Sequence, residues 1–381
     1  MIARIPERAS RAMPTILHVI DTTGPGGAES IFIELADRMR ERGFRSIPLI
    51  RGPGWVCEQL QARGIEPVVL QAKGSMNLAY LWALLRVIRD ERVDLIQSHL
   101  LGSNVYCALA GWLSRTPVVG TFHGMVDVSP NERLRSLKRL VMALGIDTCV
   151  VVSSSLRDAI RDEGLLREAN TRVIYNGIET ERYKVPSSGV LRAQLGLPED
   201  AVLAVSVGNI RPAKGYDILI RAAALLAPTH PRLHFLIAGH EKKDLKAQLN
   251  ALSVSLGVQD RIHFLGFVRD TPALLSEADL FLLSSTSEGF SLSTVEALAA
   301  GVPSVLTRCG GPEEIAIHGK HALLMTPGNV DALSQGINCL LSDPTLARSL
   351  AEQGQEMVRQ RFNMSAMLDA YEGIYQKLVP S

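Results

Sequence analysis

Two carboxylates, two cations and a pair of glycine-rich turns are the residues in this chain most able to do chemistry. Glu288 and Glu296 stand eight positions apart in Leu280–Ile315 (LFLLSSTSEGFSLSTVEALAAGVPSVLTRCGGPEEI). Arg211 and Lys214 lie in Val207–Gly215 (VGNIRPAKG), and Gly24–Glu29 (GPGGAE) follows an apolar run near the start. Glycine amides with no side chain in the way can approach an anion closely. Arg211 and Lys214 can meet a pyrophosphate, since a unit charge pair at about 4 Å is worth ~4 kcal/mol at an effective dielectric near 20. Carboxylates suit the hydroxyls of a sugar or ribose. The set as a whole points to a bound sugar nucleotide.

These residues need elements that hold them together. The apolar run Leu280–Leu283 reads as a buried strand. The turn with Glu288 and Gly289 follows it, and Ser293-x-x-Glu296 resembles a helix-start capping box ahead of Ala297, Leu298 and Ala300. Ser304–Leu306 gives the next strand, and Gly310-Gly311-Pro312 opens another helix. Strand, turn, helix and strand in that order describe an open α/β sheet, whose ligands sit beyond the carboxyl ends of the strands and face helix N-termini. The same alternation runs from Thr15–Ile20 to Thr171–Ile174, and again from Val202 onward. Glu179–Pro198, with Pro186-Ser187-Ser188-Gly189, reads as the linker between the two series. Helices are expected near Val330–Leu341, Pro344–Arg359 and Met364–Leu378.

EGFSLSTVE, followed by ALAAGVPSV and GGPEE, is similar to the motif of the family-4 retaining glycosyltransferases (glycosyl transferases group 1). The chain differs at Ser291, where that family more often has glycine, and at Pro312. The resemblance extends over nearly the whole chain and implies a GT-B fold: two Rossmann-like α/β domains facing across a cleft. Residues 1–180 would form an acceptor-side domain, with 362–381 packing back on it, and 181–361 the nucleotide-sugar domain. It also implies a retaining, metal-independent transferase using a UDP- or GDP-sugar as donor substrate, with no cofactor. The acceptor would be a glycan or lipid-linked hydroxyl, as in polysaccharide or glycolipid biosynthesis.

By the same resemblance Gly26 and Gly27 lie near the donor's phosphates, Glu296 holds the ribose hydroxyls, and Glu288 lies by the sugar ring. His123, in Thr121-Phe122-His123-Gly124, would sit beside that sugar, while His99 matches a family histidine of less certain role. Val268, in Leu265-Gly266-Phe267-Val268, would hold the nucleobase through its backbone. Ser291, Leu292 and Ser293 would offer helix-start amides. The resemblance implies that Arg211, Lys214, Glu288 and His123 would form the catalytic set. Another nucleotide-sugar enzyme such as an epimerase, or a non-catalytic sugar-nucleotide-binding subunit, remains an alternative. A glycosidase would also use paired carboxylates, but has less need of Arg211 and Lys214.

Composition narrows the classes. A net charge of +1 lacks the basic excess of a nucleic-acid binder. The five cysteines have no Cys-x-x-Cys spacing and suit a reducing, cytoplasmic compartment. The first residues lack a secretory apolar region, and no Asp-x-Asp pair suggests a metal site. Glu132–Leu144 alternates basic and apolar residues. The segment Arg133–Leu144 reads either as a packed helix with a solvated face or as a peripheral contact with the inner face of the cytoplasmic membrane.

Overall fold

The computed structural model describes residues 13–71, 77–124, 134–164 and 168–379. Runs such as TILHVI and LFLL are apolar along their whole length, as strands covered on both faces must be. They assemble two all-parallel sheets. The first joins β1 (Thr15–Ile20), β2 (Arg45–Ile50), β3 (Val68–Val69), β4 (Leu95–His99), β5 (Val118–Phe122), β6 (Thr148–Val151) and β7 (Thr171–Val173) in the order β3-β2-β1-β4-β5-β6-β7. The second joins β8 (Val202–Val207), β9 (Leu233–Ala238), β10 (Ile262–Gly266), β11 (Leu280–Leu283), β12 (Ser304–Thr307) and β13 (Leu323–Met325) in the order β10-β9-β8-β11-β12-β13. Strand order reverses beside β1 and β4 in one sheet and beside β8 and β11 in the other. Those switch points open the crevices in which such sheets hold ligands.

Helices fill both faces. Helix α1 (Gly27–Glu41) buries Ile31, Leu35 and Met39, the residues whose spacing puts them on one side. Helix α6 (Ser154–Asp162) is capped by the Ser153 hydroxyl, which accepts from the Leu156 amide at 3.1 Å. The expected capping box at Ser293 is absent. Helix α11 (Leu292–Ala299) starts two residues earlier than such a box requires, with Ser291 before it at φ +80°, a left-handed conformation. Ser293 is therefore inside the first turn, and the Ser291 hydroxyl meets Thr294 Oγ1 at 2.8 Å rather than an amide.

The segment expected as a linker is docked on the second sheet. Glu277 accepts from the Ser188 and Gly189 amides at 2.6 and 2.8 Å, and Arg192 reaches Asp279 at 2.6 Å. Helix α14 (Pro344–Arg361) belongs to that side. Then α15 (Met364–Leu378) crosses to the first sheet, where Met364, Met367, Leu368, Tyr371 and Tyr375 join Ile16, Leu95, Val119 and Val150 in one core. The crossing is tied by the Ile178 amide to the Phe362 carbonyl and the Met364 amide to the Ile178 carbonyl, both at 2.9 Å. This is the GT-B arrangement: two Rossmann-like domains face across a cleft, and the last helix returns to the first.

Candidate functional site

The loop after β8 is built to present a lysine. Gly208 and Gly215 bracket it, and Gly215 takes φ +61° against the Ser284 carbonyl, where a Cβ would stand 2.2 Å away. The Ser284 hydroxyl donates to the Lys214 carbonyl at 2.9 Å and the Thr286 amide to the Ala213 carbonyl at 2.7 Å. These bonds fasten the loop to the turn after β11. Lys214 Nζ then lies 2.6 Å from Glu288 Oε1, which also accepts from the Ser285 hydroxyl at 2.6 Å. Arg211 caps the short turn Pro212–Lys214, and its side chain is exposed.

Helix α11 completes this rim. The Leu292 and Ser293 amides have no backbone partner among the described residues, as expected of a first turn. One turn further, half-buried Glu296 accepts a hydrogen bond from Tyr183 and faces Arg182. Burial pushes its carboxyl up to about 7, against the smaller opposing pull of Tyr183 and Arg182.

The first domain meets that rim at two places. Asn209 Nδ2 donates to the Pro25 carbonyl at 3.0 Å, while its Oδ1 accepts from the His240 amide. Gly26 and Gly27, at the start of α1, are thereby brought to α11, and a Cβ on Gly27 would touch Leu292 Cδ1 at 3.2 Å. Gly289 lies on the His123 backbone; a Cβ there would be 2.3 Å from the His123 carbonyl oxygen, so only glycine fits. His123 is consequently beside the turn that carries Glu288.

The His123 ring stacks on His99 at 5.1 Å, with Nε2 2.9 Å from His99 Nδ1. Burial lowers His123 to about 3 and lowers His99 too, so both are neutral near pH 7. Behind them Gln97 Nε2 donates to Thr121 Oγ1 at 2.9 Å, and the Tyr375 hydroxyl donates to Gln97 Oε1 at 3.0 Å. Tyr371 reaches Thr121 at 3.3 Å. Two tyrosines of the returning helix thus hold the strands that end in these histidines.

Val268 is half-buried after β10. Beside it Phe267 stacks on His240 at 6.0 Å and meets Trp55 of the first domain edge-on at 6.1 Å. The structure therefore gathers Gly26, Gly27, Lys214, Glu288, Leu292, Ser293 and the His123 backbone around one cleft. Arg211, Ser291 and Glu296 lie on its adjoining loops and helix.

Sequence reasoning did not single out Asn209, Tyr183 or Glu314. Asn209 sits in the quoted VGNIRPAKG loop, but its bridge to Pro25 spans the two domains and has no local signature. Glu314 accepts from the Ser154 and Ser155 amides at 2.7 and 2.6 Å and from the Tyr175 hydroxyl at 3.0 Å. It closes the start of α6 from the opposite domain, where a carboxylate is favoured. Among the described residues no three His, Cys, Asp or Glu side chains converge as metal ligands. No helix among them is long and apolar enough to cross a membrane.

Helix α5 (Arg135–Gly145) follows the expected basic and apolar pattern; Glu132 and Arg133 lie outside the described residues. Leu137, Leu140 and Leu144 are 47, 56 and 58 % exposed, so the apolar stripe faces outward rather than into the core.

Comparison with known proteins agrees with this geometry. Residues 25–182 match Glycosyltransferase Family 4, and residues 188–357 match Glycosyl transferases group 1. Lipopolysaccharide core biosynthesis glycosyltransferase LpsE of Rhizobium meliloti is 29 % identical, over 91 % of this chain and 94 % of that protein. LpsD of the same organism is 27 % identical over 92 % and 95 %. The crystal structure of Anabaena Alr3699/HepE in complex with UDP-glucose superposes with a TM-score of 0.87 at 26 % identity, covering 95 % of this chain and 99 % of that one.

Proposed function

Since the chain belongs to the family-4 glycosyltransferases, its halves matching that family and glycosyl transferases group 1 in turn, we propose that it is a retaining transferase. It moves a sugar from a nucleoside-diphosphate sugar to a hydroxyl of a glycan or lipid-linked acceptor, in polysaccharide or glycolipid biosynthesis. The observation that carries the reading is Lys214, held 2.6 Å from Glu288 where Gly27 meets Leu292. A cation, free amides and a side-chain-free loop meet there, which is what a departing diphosphate requires. The neighbour that binds UDP-glucose supports a UDP-sugar as donor, with a GDP-sugar the other choice.

In this reading the diphosphate leaves toward Lys214, Arg211, Gly27 and the Leu292 and Ser293 amides. The acceptor hydroxyl attacks on the same face, and the leaving phosphate takes its proton. Charge develops where preorganised donors already point. Glu288 aligns Lys214 and lies by the sugar, Glu296 accepts from the ribose hydroxyls, His123 presents its backbone to the sugar, and Val268 meets the base. The cations do the neutralising, so no metal is needed and activity persists in excess chelator; complete loss there refutes that part.

The enzyme is assigned to the cytoplasm. Its outward Leu137, Leu140 and Leu144, beside Arg135, Lys138 and Arg139, suit the headgroup region of an anionic membrane, which brings a lipid-linked acceptor within reach. Nucleoside-diphosphate sugars screened by thermal shift test the donor, because a bound donor raises stability by mass action. The reading is abandoned if no nucleotide sugar stabilises the protein. It gives way to an epimerase or a binding subunit if the stabilising sugar nucleotide releases no diphosphate when acceptors are added.

A further inference from the structure

Arg51 is the first residue after β2, and Asp21 the first after β1; both stand at the carboxyl ends of neighbouring strands, where ligands gather. The Arg51 guanidinium lies 5.0 Å from the centre of the Tyr80 ring and 5.4 Å from that of Tyr106. Those rings meet edge-on at 4.9 Å, making a two-walled seat for a cation. Aromatic faces hold such a group without neutralising it.

No carboxylate within ion-pair distance does so either, among the described residues, and Arg51 Nε is buried without a hydrogen-bond partner. Asp21 is near enough to attract Arg51 but is turned to the start of α4 (Leu101–Ser114), where the Ser103 amide donates to it. Gly102 makes that possible, since a Cβ there would stand against Asp21 Oδ2. The fully buried Ser103 hydroxyl and the Thr22 hydroxyl also lack partners among the described residues. A half-buried arginine with no carboxylate partner keeps its fork available to an arriving anion.

The loop leaving this seat leads back to the donor cleft. The Val56 amide donates to the Thr23 carbonyl at 3.1 Å, Trp55 meets Phe267, and Thr23 runs into the Gly24–Gly27 turn. We propose that Arg51, seated between Tyr80 and Tyr106, is an acceptor subsite that binds an oxyanion, a phosphate or carboxylate carried by the acceptor near its reacting hydroxyl. The inference rests on the transfer reading for the identity of the arriving molecule as an acceptor, but not for the anion site itself. An arginine fork is matched to carboxylate and phosphate in a way that a lysine is not.

The test titrates inorganic phosphate and, in parallel, acetate at constant ionic strength. Each is added to the full chain with and without saturating UDP, so that the diphosphate site is already filled in one arm, and melting temperature is read. Phosphate or acetate is expected to stabilise the UDP-filled protein. Arg51→Gln should weaken that response about tenfold or more, roughly 1.4 kcal/mol. Arg51→Lys, which keeps the charge and loses the fork, should weaken it by a smaller factor and keeps the test decidable if the glutamine variant does not fold. UDP's own half-saturation should be unchanged in both variants. The anion that responds identifies the acceptor's charged group. The subsite is overturned if neither anion stabilises the UDP-filled protein, or if both variants respond as the unaltered protein does. Should UDP itself fail to bind, the transfer reading falls, while loss of the anion response in Arg51→Gln still supports the subsite.

Discussion

The two domains arrange polar groups in opposite ways. The first hides an uncharged network in its core: Gln97, His99 and Thr121 are fully buried, and Tyr371 and Tyr375 close it from the returning helix. Burial drives the histidines to their neutral form. The second domain keeps Lys214 and Glu288 paired at a half-buried rim. A buried network of neutral groups fixes geometry at little electrostatic cost, whereas a charge kept at a rim remains available to a charged ligand. The first domain holds its strand ends in place; the second supplies the field.

The sharpest way to break that contrast is at the rim. Lys214→Ala should lower turnover by roughly two to three orders of magnitude, about 3–4 kcal/mol of barrier, with melting temperature little changed, as measured by acceptor-dependent diphosphate release. A rate near that of the unaltered enzyme would remove Lys214 from the mechanism and leave the rim without its purpose.

Glu296 offers a pH test. Its folded-state carboxyl titrates near 7 against an ordinary value of 4.5. The folded chain therefore holds more protons than the unfolded one between those values, and stability falls as pH rises through that window. If the ionised form accepts from ribose hydroxyls, donor KM should rise as pH drops below 7, approaching about tenfold per unit. Glu296→Gln should flatten both profiles. A KM that ignores pH in the unaltered enzyme would detach Glu296 from the donor.

The neutral core predicts a different symptom. Tyr375→Phe leaves buried Gln97 Oε1 without its donor, a loss of about 1–3 kcal/mol. Melting should drop by a few degrees while donor half-saturation stays put. A large shift in donor binding instead would mean that the returning helix controls the rim as well.

The smallest effect is at Ser291. Its φ of +80° carries roughly 1–2 kcal/mol of left-handed strain, partly offset by the Thr294 contact worth about 1 kcal/mol. Ser291→Gly should raise the melting temperature by a degree or two and leave turnover within about twofold. Marked destabilisation would show that the hydroxyl pair, not the backbone, governs this turn.

Much of the donor side was legible because its determinants are local. Glycines, a strand and a helix start within one stretch can be read from spacing alone, and the strand at Leu280–Leu283 lies where the apolar run put it. The Ser293 capping box misled for a local reason too: Ser-x-x-Glu scores the same whether the helix begins at Leu292 or at residue 294, and only Ser291's backbone decides. Arg51 carried no motif at all. Its seat joins the residue that follows β2 with residues of α3 (Leu78–Asp90) and α4 that are distant in the chain.

The amino-acid sequence by itself determined two parallel α/β sheets, the glycine-rich turns and the charged residues that follow their strands, since periodicity and turn chemistry act over a few residues. Tertiary structure alone decided that Asn209 bridges to Pro25, that Gly289 rests on His123, that Glu314 closes α6 and that two tyrosines of the last helix support Gln97 and Thr121. Those contacts join residues far apart along the chain, and only the packing of one sheet's helices and loops against the other brings them within hydrogen-bond range.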